Sequence, residues 1–162
     1  MTAEDGKKES TKYGIHAGPP LRRLIDERAG GSRSVSGVVN AVADRYLELV
    51  RRAAPAWGAA QWAWALALLD PPDAIGRAPL LDRLWDDVTA GRWENARETA
   101  RALAGAEAAD AVGRPAFTAA LRRLSYVETV ALVDAAERFW LRRDPAVPLD
   151  EALAALGVEV EP

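Results

Sequence analysis

Residues 11–17, Thr-Lys-Tyr-Gly-Ile-His-Ala, alternate between two faces. Tyr13, Ile15 and Ala17 fall on one side of an extended strand, and Lys12, Gly14 and His16 on the other. No other strand is needed anywhere in the chain. A lone strand leaves its backbone N–H and C=O groups without partners and cannot stand by itself. Residues 18–52 offer no remedy, because they read as two short helices with too small a core to fold alone. The pattern closes if two copies of the chain pair their strands antiparallel about a two-fold axis. The four helices then pack beneath the ribbon. Tyr13, Ile15 and Ala17 of both copies would seal that core, joined by Val39 and Tyr46 from the second helix. Lys12, Gly14 and His16 of both copies would face outward, and a two-stranded ribbon fits the DNA major groove.

The helix assignments rest on spacing and punctuation. Gly18-Pro19-Pro20 stops the strand, and proline is tolerated in the first turn of a helix. Leu21, Leu24, Ile25 and Ala29 are spaced for one buried face, and Gly30-Gly31 ends that helix. Ser32-Arg33-Ser34 forms the next turn, where Ser34 or Ser36 can cap a second helix. That helix runs to about Arg52, with Val38, Val39, Val42, Tyr46 and Val50 as its stripe. Arg51-Arg52 suits a helix C-terminus, and Pro55 marks the boundary of a first domain spanning 11–52. Residues 1–10 are charged and small, and read as a disordered N-terminus.

Residues 11–50 resemble the ribbon-helix-helix family of bacterial DNA-binding proteins, the Arc, MetJ and CopG repressor class. The resemblance is carried by the stretch Ser34-Val35-Ser36-Gly37-Val38-Val39-Asn40-Ala41-Val42-Ala43-Asp44-Arg45-Tyr46, a Ser-x-Ser turn followed by apolar positions and a late aromatic. Ala29-Gly30-Gly31 supplies a small residue ahead of a glycine turn. The resemblance covers about a quarter of the chain and implies an intertwined homodimer on double-stranded DNA. It makes Lys12, Gly14 and His16 the base-facing set. It makes Ser34, Val35 and Ser36 a phosphate anchor through backbone N–H groups, with Arg33 beside them. Gly14 departs from the larger polar residue usual at such a position, so contact would centre on Lys12 and His16.

Charge supports a division of labour. The whole chain carries −3, but residues 1–52 hold ten Lys/Arg against seven Asp/Glu, and the remainder eleven against seventeen. All three lysines fall at positions 7, 8 and 12. A basic N-terminal end on an acidic body is the asymmetry expected of a DNA-reading arm joined to a partner domain.

Residues 56–162 read as an all-helical, tryptophan-rich domain of five to six helices, for a mainly α protein overall. Gly58 to Leu69 is apolar nearly all round, so it is expected to be buried, with Pro71-Pro72 breaking it. Leu81, Leu84, Trp85 and Val88 mark a helix ending near Gly91, and Glu94 to Ala104 a separate one. Pro115 to Leu124 is the next helix. Ser125-x-x-Glu128 matches a capping box and opens a helix to about Arg143, with Leu132, Val133, Ala136, Phe139 and Trp140 inward. Leu149 to Leu156 is the last helix, stopped by Gly157. The six tryptophans, Trp57, Trp62, Trp64, Trp85, Trp93 and Trp140, are expected to serve packing. Arg122-Arg123, Arg138 and Arg142-Arg143 form basic spots, read as solvated faces, with a second DNA or anion contact as the alternative.

No chemistry-bearing motif stands out. There is no cysteine, one histidine, no glycine-rich phosphate loop and no metal-ligand spacing. Acidic pairs such as Asp86-Asp87 read as solvated helical turns. The expectation is therefore a non-enzyme with no cofactor and no metal. No apolar run reaches the length of a membrane span, and the polar start lacks a signal core, which points to the cytoplasm. The leading reading is a DNA-binding transcriptional regulator, a repressor acting as a homodimer or higher oligomer. Its helical domain would set oligomeric state, sense a small ligand or bind a protein. Two rivals are an antitoxin or plasmid partition or conjugation accessory protein, and a helical interaction module that does not bind DNA.

Overall fold

Pro19 and Pro20 open helix α1 (Pro19–Arg28), where their missing N–H groups leave no intrahelical bond unmade. Its first bond runs from Arg22 N–H to Gly18 O at 3.0 Å. The computed structural model describes residues 18–28, 35–70 and 82–161, with the backbone alone described over 82–88. Leu21, Leu24 and Ile25 are half-buried on α1, and the rest of the helix is exposed. Helix α2 (Val35–Arg52) comes next, ending on Arg51 and Arg52 as the sequence anticipates. It begins at Val35, so Ser36 sits in the first turn and does not cap it. Ser34 lies outside the described residues.

The described residues fall into two units, one within Met1–Asp44 and the other within Arg45–Pro162. The division falls inside α2. The last turns of α2 belong to the second unit and are held within it by side chains that no local pattern reveals. The Tyr46 hydroxyl donates to Asp134 Oδ1 at 3.2 Å. Arg51 lays its methylenes 3.5 Å from the position a Cβ would take on Gly157. Val50 is 2% exposed.

The second unit is built around helix α3 (Ala59–Leu68). Every residue from Trp62 to Leu69 is buried, the result expected of a helix apolar on all sides. Helices α4 (Asp82–Ala104), α5 (Ala106–Ala111), α7 (Tyr126–Arg142) and α8 (Leu149–Ala155) all pack against α3. Helix α6 (Arg114–Arg123) packs on α4.

Aromatic side chains fill the space between these helices. Trp64 and Trp93 stack face to face, 3.7 Å between centroids and 6° from parallel. Phe117 meets both Trp57 and Trp93, at 5.6 and 5.9 Å. Among the described residues, two indole N–H groups donate to backbone carbonyls: Trp64 to Ala109 at 2.8 Å and Trp140 to Leu66 at 3.0 Å. The Trp62 N–H is buried with no acceptor among the described residues. Trp57, Trp62, Trp64 and Trp93 are core and Trp140 is half-buried against it, as expected of packing residues. The Trp85 side chain lies outside the described residues, as do Leu81 and the side chains of Leu84, Asp86, Asp87 and Val88.

Three details depart from the sequence reading. Gly91 does not end a helix. α4 runs unbroken through it, because glycine in an exposed helix interior costs only about 1 kcal/mol. Buried Thr89 and Trp93 on either side hold the helix down against that cost. Helix α5, only six residues long, is not anticipated; it begins after Gly105, whose φ of +85° turns the chain out of α4. Finally, a strand pair does occur after residue 17. β1 (Trp57–Gly58) pairs in parallel with β2 (Val160–Glu161), Trp57 opposite Val160. Two residues are too few for any alternation to be read, and the pairing is set by where α3 and α8 bring the ends. The mainly helical class holds, with six helices after α2 among the described residues.

The anticipated caps at the other end are present. Ser125 Oγ accepts from Glu128 N–H at 3.2 Å, and Glu128 Oε2 accepts from Ser125 N–H at 2.7 Å. Gly157, at φ +77°, stops α8. Among the described residues no helix is long and apolar enough to cross a membrane.

Candidate nucleic-acid interface

The predicted base-facing residues Lys12, Gly14 and His16, the ribbon core residues Tyr13, Ile15 and Ala17, and Arg33 and Ser34 of the predicted anchor lie outside the described residues. The described part of the candidate interface is α1 and the N-terminal half of α2. Val35 is 53% exposed and Ser36 is exposed in the first turn of α2. No acidic side chain stands in that turn. A helix start with no carboxylate in its first turn favours an anion electrostatically.

Of the residues assigned to a dimer core, Val39 and Tyr46 are described, and the apolar residues of α1 and α2 are incompletely covered within one chain. On α1 no residue is fully buried. On α2, Val39 and Val42 are half-buried while Tyr46, Leu47 and Leu49 are 42–50% exposed. Among the described residues of the first unit, Val38 alone is buried, at 3%.

Tyr46 has a role its place in the apolar stripe does not suggest. Its hydroxyl bonds Asp134 on α7, and Asp134 Oδ2 accepts from Arg138 Nε at 2.7 Å. Arg138 also donates to the Leu156 carbonyl at 2.9 Å. The chain Tyr46–Asp134–Arg138–Leu156 thus joins α2, α7 and the end of α8. Burial and the adjacent Asp134 charge raise the Tyr46 phenol above its ordinary pKa of 10.0. The Asp134/Arg138 spacing of four is visible on a helix, but nothing local points to Tyr46.

A second polar cluster fixes α5 to α4. Arg101 holds Asp110 through two parallel bonds, 3.0 and 2.8 Å, and reaches Glu98 at 3.0 Å. The hydrogen bonding to Asp110 lowers that carboxyl and raises the Arg101 guanidinium. Both side chains are solvent-facing, so the cluster orders a surface and does little for stability. The Arg92 guanidinium donates to the Asp70 carbonyl at the far end of α3. Among the described residues no three His, Cys, Asp or Glu side chains are grouped as metal ligands.

The chain matches no known family model, no curated protein and no solved structure.

Proposed function

We propose that the chain is a homodimeric DNA-binding transcriptional regulator of ribbon-helix-helix type, most simply a repressor. Paired strands of residues 11–17 would enter the major groove and present Lys12 and His16 to base edges. The observation that carries this reading is the state of α1 and α2. Both helices carry the apolar positions the sequence anticipates, yet α1 buries no residue and α2 leaves Leu47 and Leu49 open. Two short helices with half-covered apolar faces call for a partner, and a second copy meets that need with the same surfaces. The carboxylate-free start of α2 suits a phosphate on either side of the groove. The acidic helical unit 45–162 would carry regulation or oligomerisation.

The direct test is an electrophoretic shift with DNA from upstream of the chain's own gene, at two salt concentrations. A salt-sensitive shift is expected. Replacing Lys12 by Ala should reduce the log–log salt slope by about 0.9 per subunit, one phosphate contact each. Unchanged operator binding by a Lys12→Ala, His16→Ala double variant would sink the ribbon assignment. Absence of any salt-sensitive shift at micromolar protein would instead favour the helical interaction module.

A further inference from the structure

The acidic unit contains a cationic, apolar-walled recess that the DNA reading does not use. It lies where the end of α7 meets α8, a cavity of about 170 Å³. Phe139, Val147 and Leu156 supply apolar wall, and Arg138, Arg142 and Arg143 line it. A second cavity of about 270 Å³ shares Phe139, Arg143 and Val147 with the first.

The three arginines are not equivalent. Arg138 is committed to Asp134 and the Leu156 carbonyl. Arg142 and Arg143 have no carboxylate partner among the described residues. Arg143 lies over two aromatic rings, 5.5 Å from the centroids of both Phe139 and Trp140. Stacking uses the face of a guanidinium and leaves its N–H edge free to bond in the ring plane. The one acidic group in the lining, Asp144, accepts from the Ala146 N–H at 2.9 Å. Two uncommitted guanidinium groups at the edge of an apolar recess match an anion that carries a hydrophobic body. A polyanion is a poorer match, because residues 53–162 carry a surplus of six acidic groups that repels an extended phosphate backbone.

We infer that this recess binds a small amphipathic carboxylate, its charge held by Arg142 and Arg143 and its apolar part against Phe139, Val147 and Leu156. The inference names a ligand class for the regulatory unit proposed above. Its test contains no DNA, so its failure is separable from failure of the DNA-binding reading.

The experiment is isothermal titration calorimetry of the full chain with benzoate, and with neutral benzamide as an isostere. Saturable binding of one benzoate per chain is expected, with benzamide weaker by about ten-fold or more, the value of one charge-assisted hydrogen bond. Arg143→Gln should weaken benzoate by a similar factor. Arg142→Gln changes an exposed residue in the last turn of α7, so it serves as the variant that keeps its fold, and it should also weaken benzoate while leaving benzamide unchanged. The inference is overturned if benzoate gives no saturable heat, if benzamide binds equally well, or if the two arginine variants bind benzoate like the parent chain.

Discussion

Tyr46 shows how a residue can look like core and act as a tether. In the sequence it completes an apolar stripe, and its side chain remains 42% exposed. Its hydroxyl, however, bonds a carboxylate 88 positions away. Tyr46→Phe should cost about 1 kcal/mol in urea denaturation, the value of an ordinary hydrogen bond, because solvent exposure removes the extra strength of a charged acceptor. The pH dependence comes from the raised phenol pKa. Folding favours the neutral phenol, so the contribution is complete below the unfolded pKa and is lost as pH rises through the folded one. The parent chain should therefore lose stability above about pH 10 more steeply than Tyr46→Phe, by denaturant midpoints across that range. Ser125 has the opposite dependence through its partner. Glu128 titrates below its ordinary value because the Ser125 side chain and N–H both bond its carboxylate. That stabilisation is present above the unfolded pKa and is lost as pH falls through the folded one. Ser125→Ala should destabilise the chain by about 1 kcal/mol at neutral pH and by less in acid, which a melting series will show.

Among the elements, α4 is the best test of local rules against packing. Gly91 sits mid-helix with nothing within 4 Å of where a Cβ would be. Gly91→Ala should therefore raise stability by about 1 kcal/mol, read as a higher denaturant midpoint with an unchanged slope. Gly157 looks similar in sequence but is not: its φ is +77° and Arg51 lies over it, so alanine there is strained. Features whose cause is local are legible in the sequence. The Ser125 capping box, the Gly157 stop, the C-terminal end of α2 and the buried α3 all derive from neighbouring residues. Features set by distant partners are not legible in that way. The two-residue β1–β2 pair, the continuity of α4 past Gly91 and the tie from Tyr46 to Asp134 depend on residues brought together only by the fold. The arginines of the α7–α8 recess show in the sequence as a basic run, but their aromatic backing depends on where the fold sets Phe139 and Trp140.

For the whole molecule, the proposal separates two labours between two units. Under it, dimerisation and DNA contact would fall to the ribbon, α1 and the first turns of α2, while the tryptophan cluster lies within residues 45–162. Ile15→Asp would put a charge into the shared ribbon core, where burial of an unpaired carboxylate is costly. It should abolish the operator shift and convert the dimer to monomer by sedimentation. The near-ultraviolet circular dichroism of the stacked tryptophans should remain. Loss of both signals together would mean that the units do not fold independently.

The complete burial of Trp62 to Leu69 has a further consequence for the life of the chain. These eight residues contain no charged group and no proline, and the helices that cover them, α4, α5, α7 and α8, all lie farther along the chain. During synthesis the stretch leaves the ribosome before any of those helices exists. Refolding at rising protein concentration should therefore lose yield to aggregation through this stretch, and a charged substitution within it should not restore the yield without also unfolding the core.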